Sequence, residues 1–174
     1  MRLVHVALLI LLVGALVGCD HATKHLAASH LREAPATVIP GVVELGYTEN
    51  RDSAFGLLHP ILSAEQRLPL LVGLKIAGIL IALWFLGRRW PKSSAIEKLG
   101  LAMIVAGALG NLIDRVGRGY VVDFIHVSYW PLFNVADIAV CVGVGLLFLA
   151  GNAAEPPAPR RRRSSSERHS RGSA

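Results

Sequence analysis

The sequence predicts an all-α polytopic membrane protein, with four transmembrane helices and a small extracytoplasmic β-platform. Three observations lead there: apolar residues gathered into four long blocks, basic residues concentrated on one side of those blocks, and one alternating segment between the first two. Of the 174 residues 53% are hydrophobic and the mean hydropathy is +0.50, while only 6% are aromatic. A soluble domain of this length carries a comparable apolar content spread through amphipathic patterns. Here the blocks have almost no polar face, which excludes a soluble fold.

The blocks cover about 3–19, 68–87, 96–113 and 133–150. A spanning helix needs about 20 apolar residues, with a working range of about 17–25. The second block meets this directly, and the others reach it with flanking residues. Backbone in lipid must satisfy its own hydrogen bonds, so each block is a helix. Residues 1–152 therefore form one membrane domain. Residues 153–174, rich in Pro, Arg and Ser, read as a disordered basic tail.

Charge orients the chain. Six arginines against two glutamates give residues 155–174 a charge of +4, which leaves +2 of the total +6 for the rest. Arg2 precedes the first block, Arg88, Arg89 and Lys92 lie between the second and third, and Arg160–Arg163 follow the fourth. With four spans these places share one side, expected to be cytoplasmic. Both termini are then cytoplasmic. Residues 19–67 and 114–132, with eight of the twelve acidic groups, face the other way. The arginine run also fits a nucleic-acid contact, but one short cluster beside a span argues for a membrane-side role and no nucleic acid.

Between the first two blocks, Val43, Leu45 and Tyr47 alternate with Glu44, Gly46 and Thr48, a period of two that marks a strand. Pro40-Gly41 makes a turn before it and Asn50–Ser53 another after it, with Ala54–Leu58 apolar again. The result is a hairpin-like platform lying on the bilayer surface.

Leu16-Val17-Gly18-Cys19 invites a second reading. A charged start, a short apolar core and this tetrapeptide resemble the signal of a secreted lipoprotein. Three further apolar blocks weigh against it, and Cys19 otherwise serves as a small apolar residue near a helix end. Cys141, inside the fourth block, is the only other cysteine, so no disulfide framework is implied.

Ionisable residues in or beside spans are costly and mark function by default. Lys75 sits well inside the second block and is expected to snorkel or to pair with a carboxylate. A richer cluster flanks the last two blocks. Asn111, Asp114 and Arg115 fall at i, i+3, i+4 on one helical face. Asp123 interrupts the apolar stretch Tyr120–Ile125, and Asn134 and Asp137 are again i, i+3. All lie at the extracytoplasmic membrane surface in this topology. Asp123 and Asp137, each set in apolar sequence at one depth, form a candidate pair. Two close carboxylates in a low-dielectric site share one proton. The ionised member can activate water and the protonated member can hydrogen-bond a scissile carbonyl, with neither metal nor cofactor. Spacing alone leaves alternatives open: helix caps, partners of Arg115 and Arg118, or a proton relay in a small transporter.

Five ordered motifs carry a resemblance. Asp20-His21-Ala22-Thr23-Lys24 resembles the DxxTK element of the lipoprotein signal peptidases (signal peptidase II), a bacterial family of aspartic membrane peptidases. Asn50–Gly56 is similar to their N-x-G-A-A-F element, with Asp52 and Ser53 where Gly and Ala are common. Gly110–Arg115, Val121–Phe124 and Phe133–Asp137 match the last three elements in order. The resemblance covers residues 1 to about 150. It implies that Asp123 and Asp137 are the catalytic dyad. It implies also that Asn50, Asn111, Arg115 and Asn134 line the dyad or substrate region, while Asp20, Lys24 and Asp114 support the surrounding fold. The implied partners are diacylglyceryl-modified prolipoproteins, cleaved before the lipidated cysteine, together with membrane lipid. The implied location is the bacterial cytoplasmic (inner) membrane, with the site at its outer face.

Overall fold

The computed structural model describes residues 2–52, 58 and 60–153. Four helices follow one another as α1 (Arg2–His30), α2 (Ala64–Arg89), α3 (Ala95–Arg118) and α4 (Val135–Ala153). All four are long and apolar enough to cross a membrane, and the chain is a multi-pass membrane protein. Their outward faces carry large apolar side chains such as Leu11, Ile81, Trp84 and Phe148 in exposed positions, as a lipid-facing surface requires. Residues 53–57 and the tail beyond Ala153, both part of the sequence reading, lie outside the described residues.

Helices α1, α2 and α3 run past the apolar blocks that predict them at both ends, while α4 starts two residues inside its block and ends three beyond it. The difference is greatest in α1, which continues from the expected end near residue 19 to His30. Its 29 residues measure about 43 Å at about 1.5 Å per residue, against a hydrocarbon core of about 30 Å. The extension is polar, and tertiary burial stabilises it: Asp20, Lys24 and Ala27, on one face at i, i+4, i+7, are the buried residues of this helix. In α3 the extra turn takes Asp114 and Arg115 into the helix, and Gly119 ends it in the left-handed conformation at φ 78°, its N–H donating to the Arg115 carbonyl. Gly adopts this cap without the Cβ strain other residues meet. The other end is fixed by a reciprocal box, in which Glu97 N–H donates to Ser94 Oγ and Ser94 N–H to Glu97 Oε2.

Helix α3 is central, packing on α1, α2 and α4, whereas α2 packs on α3 alone among the helices and strands. The α3–α4 contact is backbone to backbone. A Cβ on Gly143 would stand 2.6 Å from the Gly100 carbonyl oxygen, and one on Gly107 would overlap the Ala136 carbonyl oxygen. Small residues permit this approach where no hydrophobic effect drives helices together. On the other side of α3, Ile79 and Ala82 of α2 pack with Leu101 and Val105.

The platform is a three-stranded antiparallel sheet in the order β1 (Ala36–Ile39), β2 (Val43–Asn50), β3 (Val121–Val127). The hairpin agrees with the alternating pattern, but the third strand is a correction, since residues 121–127 read in sequence only as an apolar stretch around Asp123. Val121, Val122, Asp123 and Phe124 are all buried, so the period of two that announces a half-exposed strand is missing. Between the pairs Leu45↔Ile125 and Thr48↔Asp123, β2 advances three residues and β3 two. That bulge sets the register in which Asn50 pairs with Val121, diagonally across from Asp123. The chain then turns back, and Phe133 bonds to Ile125 in both directions, which delivers Asn134 and α4 beside β3.

Candidate active site

The site forms where the sheet meets the ends of the helices. Asp123 enters from β3 with 2% of its surface exposed, and the half-buried Asp137 enters from the first turn of α4. Asn134, fully buried just before α4, joins them. Its Nδ2 donates to Asp123 Oδ1 at 2.7 Å, and its backbone N–H donates to Asp137 Oδ2 at 3.2 Å. In return the Asp137 N–H donates to Asn134 Oδ1 at 3.1 Å. This is a reciprocal helix cap, so the capping alternative for Asp137 is real. It orients the carboxylate rather than consuming it, because Asp137 still lines the cavity below.

The remaining oxygens are also spoken for by amides. Asn50 Nδ2 donates to Asp123 Oδ2 at 2.7 Å and Asn111 Nδ2 donates to Asp137 Oδ1 at 2.8 Å. Asn111 Oδ1 in turn accepts from Asn134 Nδ2 at 3.1 Å and from Lys24 Nζ at 3.0 Å. Lys24 is completely buried and also reaches Asp20 Oδ2 at 2.7 Å and Asp114 Oδ2 at 2.8 Å. Asp20 Oδ1 accepts from the Ala136 N–H at 2.9 Å, tying α1 to the start of α4. Arg115, 5% exposed, donates to the Asp52 carbonyl at 2.6 Å. All nine residues singled out from the sequence thus belong to one connected network. The arginine-pairing alternative fails for the dyad candidates: Arg118 stands 3.5 Å from Asp114, and among the described residues neither it nor Arg115 forms an ion pair with Asp123 or Asp137.

Burial pushes the Asp123 carboxyl up to about 6. The Asn50 bond opposes this, the neighbouring Asp137 charge adds to it, and the Asn134 bond and Lys24 oppose it. Burial dominates because withdrawing water penalises the charged form. Asp123 and Asp137 open onto one cavity of about 330 Å³, with Asn50, Asn111 and Arg115 on its wall. Leu71 and Lys75 of α2 form one side of the cavity and Val140 and Cys141 of α4 another. These two helices do not pack on each other, so the cavity occupies the slot between them.

Three contributors were not legible as site residues. Lys75 was expected to snorkel or to pair; it lines the cavity and forms no ion pair among the described residues. Arg67 bonds Asp52 across fifteen positions of sequence. The wall from Trp130 to Phe133 carries no chemical signature, although its place between two aspartate motifs is a hint. Cys19 lies inside the unbroken α1, next to the anchored Asp20, where it acts as a helix residue.

Comparison with known proteins places the whole chain. The family model for signal peptidase (SPase) II matches residues 12–152. The lipoprotein signal peptidase of Syntrophotalea carbinolica is 37% identical over 155 residues, which cover 86% of this chain and 94% of that protein. That of Symbiobacterium thermophilum is 40% identical over 137 residues, 75% of this chain and 84% of the relative. A bacterial membrane enzyme solved by the in meso method at 2.3 Å superposes with a TM-score of 0.71 at 28% identity, over 87% of this chain and 94% of the other. A second, at 1.9 Å, gives a TM-score of 0.72 at 27% identity, over 86% and 95%. Matched across most of its length by both family and structure, the chain belongs to the signal peptidase II family.

Proposed function

We propose that the chain hydrolyses prolipoproteins at the peptide bond before their diacylglyceryl-modified cysteine, with Asp123 and Asp137 as the catalytic dyad. The observation that supports this most strongly is the one asparagine, Asn134, that bonds both carboxylates above a shared cavity. Neighbouring carboxylates in a dry site hold one proton between them. We assign it to Asp123, the more deeply buried of the two, whose carboxyl burial pushes up to about 6. Asp137 takes a proton from water as the oxygen attacks the scissile carbonyl carbon. Asp123 meanwhile gives its proton to the carbonyl oxygen. As the C–N bond breaks, the proton held by Asp137 passes to the leaving amine of the cysteine, and one hydroxyl of the resulting diol returns its proton to Asp123 as the new carboxyl group forms.

The slot between α2 and α4 suits a substrate that arrives within the bilayer. The acyl chains keep the modified cysteine at the membrane surface while the signal helix remains in lipid, so the scissile bond can reach the dyad sideways. Arg115 lines the cavity with Nε and Nη1 buried and without a hydrogen-bond partner among the described residues. These donors fit carbonyl oxygens of a bound peptide, since a buried donor left unmet is costly. Asn50, Asn111 and Asn134 orient the dyad, and Asp20, Lys24 and Asp114 brace the helices that carry it. The Lys/Arg distribution supports a dyad on the extracytoplasmic face, both termini in the cytoplasm, and residues 153–174 as a basic tail beside anionic lipid.

Detergent-purified enzyme tests the proposal when incubated with a diacylglyceryl-modified prolipoprotein and with its unlipidated precursor. Cleavage before the cysteine in the modified substrate alone is expected. Equal cleavage of both, or of neither, would contradict it.

A further inference from the structure

The turn after Asn50 is tied to two helices through one residue, Asp52. The Asp52 N–H donates to Asn50 Oδ1 at 2.9 Å, closing an Asx turn. Its carbonyl accepts from Arg115 Nη2 at 2.6 Å, on α3. Its carboxylate Oδ2 accepts from Arg67 Nη1 at 2.7 Å, on α2. The side chains of this last pair are only 13% and 15% exposed. An ion pair in open water contributes little because it is screened and entropically loose. One that is shielded and charge-assisted at this distance holds geometry.

The geometry held is that of the Asn50 side-chain amide. Because Asn50 Oδ1 is occupied by the Asp52 N–H, its NH2 group must face Asp123, and it does so at 2.7 Å. Reversed, the amide would present oxygen to a carboxylate. The Asp52 N–H therefore selects the productive orientation, and the two arginines hold that N–H in place. Among the helices and strands α2 packs on α3 alone, and the Arg67–Asp52 contact also ties it to the end of β2.

We propose that Asp52 and Arg67 are a positioning pair for the peptidase reaction, bracing the Asn50 amide against Asp123 from α2. The proposal rests on the assignment of Asp123 to the dyad. The pair acts through Asn50, and its two opposite charges largely cancel at the site. The other charged groups facing Asp123 are Asp137 from α4, Lys24 from α1, Lys75 from α2 and Arg115 from α3.

The test uses full-length enzyme in detergent with a diacylglyceryl-modified prolipoprotein, measuring kcat, KM and the pH profile. Asp52→Asn and Arg67→Gln should each lower kcat about ten-fold, the loss that matches about 1.4 kcal/mol of barrier. KM should change little, since the contact matters in the transition state. The alkaline limb of kcat/KM should move to higher pH, because a looser Asn50 no longer favours ionised Asp123. The double variant Asp52→Asn/Arg67→Gln should lose no more than either single one. Its charges cancel, so a long-range electrostatic effect would instead restore activity, and independent effects would multiply. Arg67→Lys keeps a donor and a charge and should retain most of kcat, which separates positioning from misfolding. Wild-type kcat with an unmoved alkaline limb in both single variants would overturn the pair, as would restoration or multiplication in the double variant. Asp123→Asn assayed in parallel separates the two ideas: turnover there would sink the dyad itself, whereas its inactivity beside normal Asp52→Asn and Arg67→Gln enzymes would sink the pair alone.

Discussion

Lys24 Nζ stands 2.8 Å from Asp114 Oδ2 with neither side chain open to solvent, so an ammonium from α1 is sealed inside the bundle against a carboxylate from α3. It also meets Asp20 Oδ2 at 2.7 Å and Asn111 Oδ1 at 3.0 Å. One cation therefore compensates two buried acids and fixes which way the Asn111 amide faces Asp137. Replacing it with an apolar side chain of similar length leaves both acids without that partner. Breaking a buried pair from one side costs about 3–5 kcal/mol. Lys24→Met should therefore lower the thermal midpoint of the detergent-purified protein sharply and abolish cleavage. A variant that melted with wild type and still cleaved would show that the cluster neither braces the helices nor orients Asn111.

The proposed dyad makes two predictions that belong together. Asp123→Asn and Asp137→Asn should each reduce cleavage to background while the protein still inserts and melts near wild type, because an amide keeps the shape but neither takes nor gives the proton. With its carboxyl pushed up to about 6 by burial, Asp123 is expected to hold the proton below that pH. As pH rises through that value the shared proton is lost, so kcat/KM should fall on the alkaline side with a midpoint near 6. The kcat limb should lie higher, since bound substrate removes water from Asp123 and penalises its charge further. The two limbs report the pair and not a single carboxyl. A flat kcat/KM between pH 5 and 8 would contradict the assignment of the proton to Asp123.

Much of this arrangement was legible in the sequence because membranes enforce simple rules. Runs of about 20 apolar residues can only be helices there, and the polar residues that interrupt them stand out against that background. Asp123 and Asp137 stand out in this way, as two acids in apolar sequence. What stayed hidden depends on tertiary contact. The last third of α1 is polar and looks like a loop, yet the burial of Asp20, Lys24 and Ala27 makes it helix. Residues 121–124 hide a strand because both of its faces are covered. The Arg67–Asp52 bond spans an apolar segment that gives no sign of returning. Lys75 shows its charge in the sequence, but whether it faces lipid or cavity depends on how α2 is turned.

Topology offers a test independent of catalysis. Arg88, Arg89 and Lys92 lie between α2 and α3, and Arg2 begins α1. Arg88 and Arg2 also rest on Trp84 and Trp90 at that end of the bundle, where aromatic rings favour a membrane interface. Reporter fusions after Arg89 and Gly151 should read cytoplasmic, and one after Leu58 extracytoplasmic. A reversed reading at Arg89 would contradict the proposed placement of Asp123 and Asp137 on the extracytoplasmic face.

The close approach of α3 and α4 at Gly107 predicts how little room the site has for error. A Cβ on Gly107 would overlap the Ala136 carbonyl oxygen and stand 2.7 Å from Val140 Cγ2. The first of these is backbone and cannot swing aside, so Gly107→Ala must push α3 and α4 apart. Asn111 lies one turn beyond Gly107, and Asp137 directly follows Ala136. The separation therefore falls on the 2.8 Å bond from Asn111 Nδ2 to Asp137 Oδ1. Overpacking of this kind costs about 1–3 kcal/mol, and a displacement of about 1 Å at reacting groups can cost about a hundred-fold in rate. Gly107→Ala should thus lose far more activity than stability. Gly73→Ala on α2, where an added Cβ meets nothing within 4 Å, is the matched control and should leave cleavage intact. Equal behaviour of the two variants would mean that α3 and α4 can part without disturbing Asp137, and that the contact of Asn111 with it is not what sets the dyad's geometry.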